Sequence, residues 1–97
     1  MIWRLEHKDG GGPWFRRDGK TRDGKIEFKD KGIYGCRSLR KLIEYFAKEM
    51  EAAEGCVVKI YRGKVIWERK REVVFMPKGR GLRVGAVKGG KWYVFKF

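Results

Sequence analysis

The sequence predicts an α+β fold: a mostly antiparallel sheet of about five strands with one helix packed on one face. Three observations carry this reading. Between Ser38 and Gly55 the apolar residues recur at steps of three and four. Elsewhere, outside one glycine-rich segment, apolar and polar residues alternate in short runs. Near the C-terminus Gly89-Gly90 separates two such runs and suits a two-residue turn with positive φ at both positions. A chain of 97 residues builds one domain, residues 1–97, around a single modest core.

The first eight residues alternate as a strand, with Trp3, Leu5 and His7 on one side and Arg4, Glu6 and Lys8 on the other. Trp3 and Leu5 are expected to face the helix. Residues 9–35 form a long, basic, glycine-rich loop region that opens with Gly10-Gly11-Gly12-Pro13. It then repeats itself, Arg17-Asp18-Gly19-Lys20 and Arg22-Asp23-Gly24-Lys25, each Asp-Gly being a turn signal. Ile26, Phe28, Ile33 and Tyr34 suit a short edge strand and a lid over the core. A loop of this length is functional or disordered; the first case is an arm along a phosphate backbone, the second an insertion without a role.

Leu39, Leu42, Ile43, Phe46, Ala47, Met50 and Ala53 share one face of a 3.6-residue helix. Ser38 is placed to cap its start and Gly55 to end it in the left-handed region. Strands follow at Cys56–Tyr61, Val65–Glu68 and Glu72–Met76, with turns at 62–64 and 69–71. In the closing hairpin, Leu82–Val87 with Lys91–Phe97, the glycine turn sets Val87 opposite Trp92, Ala86 opposite Tyr93, Val84 opposite Phe95 and Leu82 opposite Phe97. Leu82, Val84, Ala86, Tyr93, Phe95 and Phe97 are then expected to face the core. Arg83, Gly85, Val87, Trp92, Val94 and Lys96 form the outer strip.

Charge gives the functional lead. There are 25 Lys and Arg against 12 Asp and Glu, a net charge of +13, which points to a polyanionic partner, the alternative being charge that serves solubility alone. The excess is uneven: residues 1–37 carry +4, residues 38–55 carry −1 and residues 56–97 carry +10. The sheet is therefore the cationic half. Cations beside Trp92, Trp67 or Tyr61 would combine phosphate neutralisation with base stacking. The alternative, favoured for Trp67, is that these rings pack the second face of the sheet.

The candidate nucleic-acid contacts are Arg16, Arg17, Lys20, Arg22 and Lys25 in the loop and Arg37 and Arg40 at the helix start. On the sheet they are Arg69, Lys70, Arg71, Arg83, Lys88, Lys91 and Trp92. Arg37, Ser38 and Arg40 at a helix N-terminus offer an anion site, unless i,i+4 pairs such as Arg40 with Glu44 explain them.

Several classes find no support. No apolar run approaches the ~18 residues of a membrane span, and the N-terminus lacks a signal-peptide core, so a soluble cytoplasmic protein is expected. One histidine and two cysteines fall short of a zinc site. Cys36 and Cys56 flank the helix, whose ~18 residues at ~1.5 Å each would hold them too far apart for a disulfide. No P-loop or nucleophile elbow occurs, and Glu49 and Glu51 point apart on a helix. No metal, cofactor or catalytic residue is expected.

Two resemblances add to this. Glu6-His7-Lys8-Asp9-Gly10-Gly11-Gly12-Pro13-Trp14, Gly35-Cys36-Arg37-Ser38-Leu39 leading into Leu42 to Phe46, then Val58 to Tyr61 and Val73 to Phe75, resemble a family of small phage and prophage proteins over residues 1–75. The likeness implies a phage accessory role in the host cytoplasm, in host takeover or counter-defence including anti-CRISPR action. This sequence departs from that family in its Arg-Asp-Gly-Lys repeat and basic C-terminal hairpin. Separately, Glu72-Val73-Val74-Phe75-Met76-Pro77-Lys78-Gly79 resembles the last strands of ADP-ribosyltransferases, with Arg4 placed like their NAD-contacting arginine. That likeness implies an NAD site at Arg4 and Glu72. Lys70 stands where that family has Glu or Gln, and no Ser-Thr-Ser strand is present.

The expected function is thus non-catalytic binding of nucleic acid or a host nucleoprotein complex, without a membrane partner. The alternatives are a reduced NAD-binding protein or enzyme, and a protein-directed inhibitor using Trp14, Phe15 and the loop.

Overall fold

Two long strands joined by a tight turn dominate the computed structural model, which describes residues 1–27 and 32–95. In chain order the elements are β1 (Ile2–Glu6), β2 (Ile33–Gly35), α1 (Leu39–Phe46), α2 (Met50–Ala53), β3 (Val57–Glu68), β4 (Val73–Lys88) and β5 (Lys91–Val94). All pairings are antiparallel, in the order β1-β3-β4-β2, with β5 also on β4. The fold is the expected α+β arrangement.

The strands are fewer breaks and more length than the sequence suggests. The turn expected at 62–64 does not form: Arg62, Gly63 and Lys64 continue β3 opposite Lys78, Pro77 and Met76. Pro77 is tolerated because it falls in the part of β4 between the residues paired with β2 and those paired with β5. Three irregularities bend the β3–β4 ribbon. The largest sets Gly79-Arg80-Gly81 against Tyr61 alone, and a Cβ on Gly81 would sit 2.7 Å from the Tyr61 ring. The bend brings β1 against the end of β2, where Trp3 and Cys36 exchange two backbone hydrogen bonds of 2.8 and 2.7 Å.

The expected single helix is two short ones. Ser38 caps α1 by accepting from the Lys41 N–H, as the sequence suggests. After Phe46 the bonds at Ala47 and Glu49 run to residues three back, and Glu49 leaves helical geometry at φ −132°, ψ 42°. Cations at the start of the stretch and glutamates at its end oppose the helix dipole and weaken its continuation. The apolar face survives the break, with Leu42, Phe46 and Ala53 all buried in one cluster. Cys36 and Cys56 are free, as expected, but a continuous helix is not what separates them.

The helices cover one side of the sheet. Leu5, Val58, Ile60 and Val87 meet them, with Trp3, Trp92 and Val94 packed around the edge. A second cluster of Ile2, Tyr61, Val73 and Phe75 fills the curl of the bent ribbon. Between them lies a buried polar group: Arg4 and Glu6 are each 4 % exposed and joined at 3.0 Å. Glu6 also accepts from the Tyr61 hydroxyl and pairs with Lys59 at 3.1 Å. Burial lowers the Arg4 pKa despite Glu6, and raises that of Tyr61.

The hairpin register agrees with the sequence reading at Val87–Trp92 and Ala86–Tyr93, but the faces are exchanged. Val87, Trp92 and Val94 pack on the core, whereas Tyr93 and Phe95 are 56 % and 65 % exposed. Leu82 is also exposed, and Val84, the extra residue of a bulge, is buried. Trp92 is therefore not an exposed stacking residue. Phe28, Lys96 and Phe97 lie outside the described residues; Ile26 is exposed and outside β2.

Candidate nucleic-acid interface

On the side of the sheet away from the helices, strand alternation and register place a common set of residues. Arg4 stands opposite Lys59, Lys59 opposite Arg83, and Val57 opposite Ala86, which stands opposite Tyr93. Lys88 and Lys91 face each other two residues further along on the same side. Phe95 extends the aromatic row, donating its N–H to the Val84 carbonyl at 2.7 Å.

Three cross-strand pairs in this ribbon are cation on cation: Lys59–Arg83, Arg62–Lys78 and Lys88–Lys91. Like charges directly opposite destabilise a sheet. Only Lys59 among the cations of residues 56–95 makes a salt bridge within the described residues. Arg62, Lys64, Arg69, Lys70, Arg71, Lys78, Arg80, Arg83, Lys88 and Lys91 are all exposed. Glu54 secures the β4–β5 turn, accepting from the Gly89 and Gly90 N–H groups at 2.8 and 2.9 Å, and these two bonds hold its pKa down. Both glycines have positive φ.

The loop is built from its own repeat. Asp18 accepts from the Lys20 N–H and Asp23 from the Lys25 N–H, the same turn made twice. Two of its cations are occupied internally, Arg16 by Asp18 at 2.6 Å and Arg22 by Asp9 and the Gly12 carbonyl. The Arg22 contact brings the Asp9 pKa down to about 2. Arg17, Lys20 and Lys25 make no ion pair among the described residues and remain the loop's outward charge. At the helix start Arg37 is paired with Glu68 at 2.8 Å and Arg40 with Glu44 at 3.2 Å. Both are therefore neutralised locally, the i,i+4 pair among them.

A cleft of about 460 Å³ opens on another side, between the loop, β2, α1 and the β3–β4 turn. One wall stacks Trp14 on Phe46 at 4.9 Å with Tyr45 alongside. The other sets Phe15 on Tyr34 at 5.8 Å and Tyr34 edge-on to Trp67, over which Arg69 lies 4.8 Å from the ring centroid. The Tyr45 hydroxyl donates to Glu72 at 3.1 Å. Its pKa rises to about 12, through burial and then Glu72. Arg4 and Glu72, the pair named by the ADP-ribosyltransferase resemblance, both line this cleft. The Arg4 guanidinium donates to Glu6 and to the Tyr34 and Gly10 carbonyls.

No family model, curated protein or solved structure matches this chain. The site rests on its own geometry. Sequence reasoning placed Arg69, Lys70, Arg71, Arg83, Lys88 and Lys91 at the surface, where they are, assigned Tyr93 and Phe95 to the core, and named Arg4, Glu72, Trp14 and Phe15 without bringing them into one cleft. No helix among the described residues is long and apolar enough to cross a membrane, and no group of His, Cys, Asp and Glu among them is arranged to hold a metal ion. The cleft residues come from separated segments, so no local motif announces them.

Proposed function

We propose that this protein binds single-stranded nucleic acid, free or within a nucleoprotein, and acts without catalysis. The binding surface is the sheet face opposite the helices, with Arg83, Lys88 and Lys91 meeting phosphates and Tyr93 and Phe95 stacking on bases. The observation that supports this most is the two opposed cation pairs on this face, Lys59–Arg83 and Lys88–Lys91. Each costs folding free energy in the isolated chain, and a polyanion laid across the ribbon removes that cost. Exposed rings between the cations favour unpaired bases over a closed duplex, whose bases offer no free face to stack on. The resemblance to phage accessory proteins makes a host defence nucleoprotein a natural setting for such a surface, and that setting is part of the proposal.

The test is fluorescence anisotropy with labelled single-stranded DNA, single-stranded RNA and duplex, using wild type and the Arg83→Glu/Lys91→Glu variant. Single strands are expected to bind more tightly than duplex, and the variant to lose at least about tenfold in affinity while retaining its circular dichroism spectrum. Unchanged affinity in the folded variant would move the binding site off this face.

A further inference from the structure

The aromatic cleft is lined by residues other than Arg83, Lys88, Lys91, Tyr93 and Phe95, and the function proposed above does not depend on it. We propose that it is a nucleobase site that takes one guanine, either as a free nucleotide or as a single unstacked base of a strand. Its volume, about 460 Å³, lies in the range of small-molecule sites. Two walls of rings, Trp14 with Phe46 and Tyr34 with Trp67, provide flat apolar surfaces for a planar heterocycle.

What selects among planar heterocycles is the polar group between the walls. Glu72 lines the cleft with one carboxylate oxygen accepting from Tyr45, and the other has no hydrogen-bond partner among the described residues. A carboxylate only accepts. It therefore suits a base edge that presents adjacent N–H donors. Guanine offers two on its Watson–Crick edge, adenine and cytosine an amino group beside an acceptor, and uracil a single N–H between two carbonyls.

The rim supplies the charge for a phosphate. Arg16 is spent on Asp18, whereas Arg17 and Arg69 line the cleft without an ion pair among the described residues. Arg17 and Ile33 also line a second, more polar cavity that contains Lys59 and Arg80. The two cavities therefore adjoin, and a strand whose base enters the first has a cationic path for its next phosphate.

The experiment follows tryptophan fluorescence during titration with GMP, AMP, CMP and UMP, and separately with an oligouridine carrying one central guanine. GMP or the guanine-bearing strand is expected to bind about tenfold or more tightly than its uracil counterpart. Saturation by GMP alone identifies a free nucleotide as the ligand, and saturation by the strand alone a base within a chain. Glu72→Gln keeps an acceptor for Tyr45 and is expected to bring guanine and uracil ligands within about twofold of each other. Trp67→Leu is expected to weaken all of them. Equal affinity for the four nucleotides, an unaltered guanine preference in Glu72→Gln, or no saturation by any probe overturns the proposal. Arg83→Glu/Lys91→Glu separates the two sites: it is expected to leave GMP binding unchanged while reducing strand binding to the sheet face.

Discussion

Lys59 of β3 stands directly opposite Arg83 of β4, in register within a row that Arg4 extends on β1. Glu6 answers Lys59 at 3.1 Å and Arg4 at 3.0 Å, but Arg83 has no acidic partner among the described residues. With three cations against one carboxylate, the row carries two positive charges in excess, and Arg83 is the one that stands at the surface. Arg83→Thr should remove that repulsion and stabilise the free protein by roughly 0.2 to 1 kcal/mol while weakening nucleic-acid binding. Urea denaturation alongside anisotropy checks both halves. A destabilised variant with normal binding would show that Arg83 serves the fold.

Breaking the buried pair should be far more damaging. Glu6→Leu leaves the Arg4 guanidinium buried without its carboxylate, and a loss of about 3–5 kcal/mol is expected from the denaturation midpoint. Adding Arg4→Met to the same chain should recover much of that loss, since the stranded charge goes with it. Failure of the second substitution to recover stability would mean that the hydrogen bonds to Glu6 matter more than its charge.

Acid should loosen the loop before the sheet. The Arg22 contact and the Gly11 N–H hold the Asp9 pKa at about 2 against an ordinary 3.8. A folded pKa below the unfolded one means stabilisation present above pH 3.8 and lost as pH falls towards about 2. Glu54 and Asp18 are shifted in the same direction. His7 adds to this from higher pH, because burial and then Arg22 hold its pKa below 6.5 and make its protonation unfavourable to the fold. The protection factors of the Gly11 and Gly90 amides, the intrinsic rate at each pH divided by the exchange rate measured by NMR, should fall between pH 7 and pH 2. Constant protection across that range would contradict the assignment.

Both thiols should be inert in the native protein. Burial pushes Cys36 up to about 12 and Cys56 up to about 11, so almost no thiolate exists at pH 8. Alkylation by iodoacetamide should run at least ~100-fold slower than in denaturant. Rapid labelling of either cysteine in the folded state would refute this.

These effects differ in how far the sequence announces them. Ser38, Gly55 and the Gly89-Gly90 turn are legible because capping and positive-φ turns require particular residue types. The facing of the last hairpin is not legible, because Trp92 and Val94 are as apolar as Tyr93 and Phe95. A period of two separates the sets without saying which is inside. The length of β3 and β4 was hidden by Gly63, Pro77 and Gly79, which read as breakers until a partner strand spans them. Charge was legible as a count, but the opposition of Lys59 to Arg83 depends on a register shifted by a bulge.

The salt dependence of single-strand binding tests the central claim most directly. With three or more phosphates neutralised by the sheet face, log K against log salt should fall with a slope of about −2 or steeper, at roughly −0.7 per phosphate. The slope should become shallower by about one phosphate's worth when Lys91 is replaced by Gln. Binding that holds constant as salt rises would contradict a phosphate-based interface.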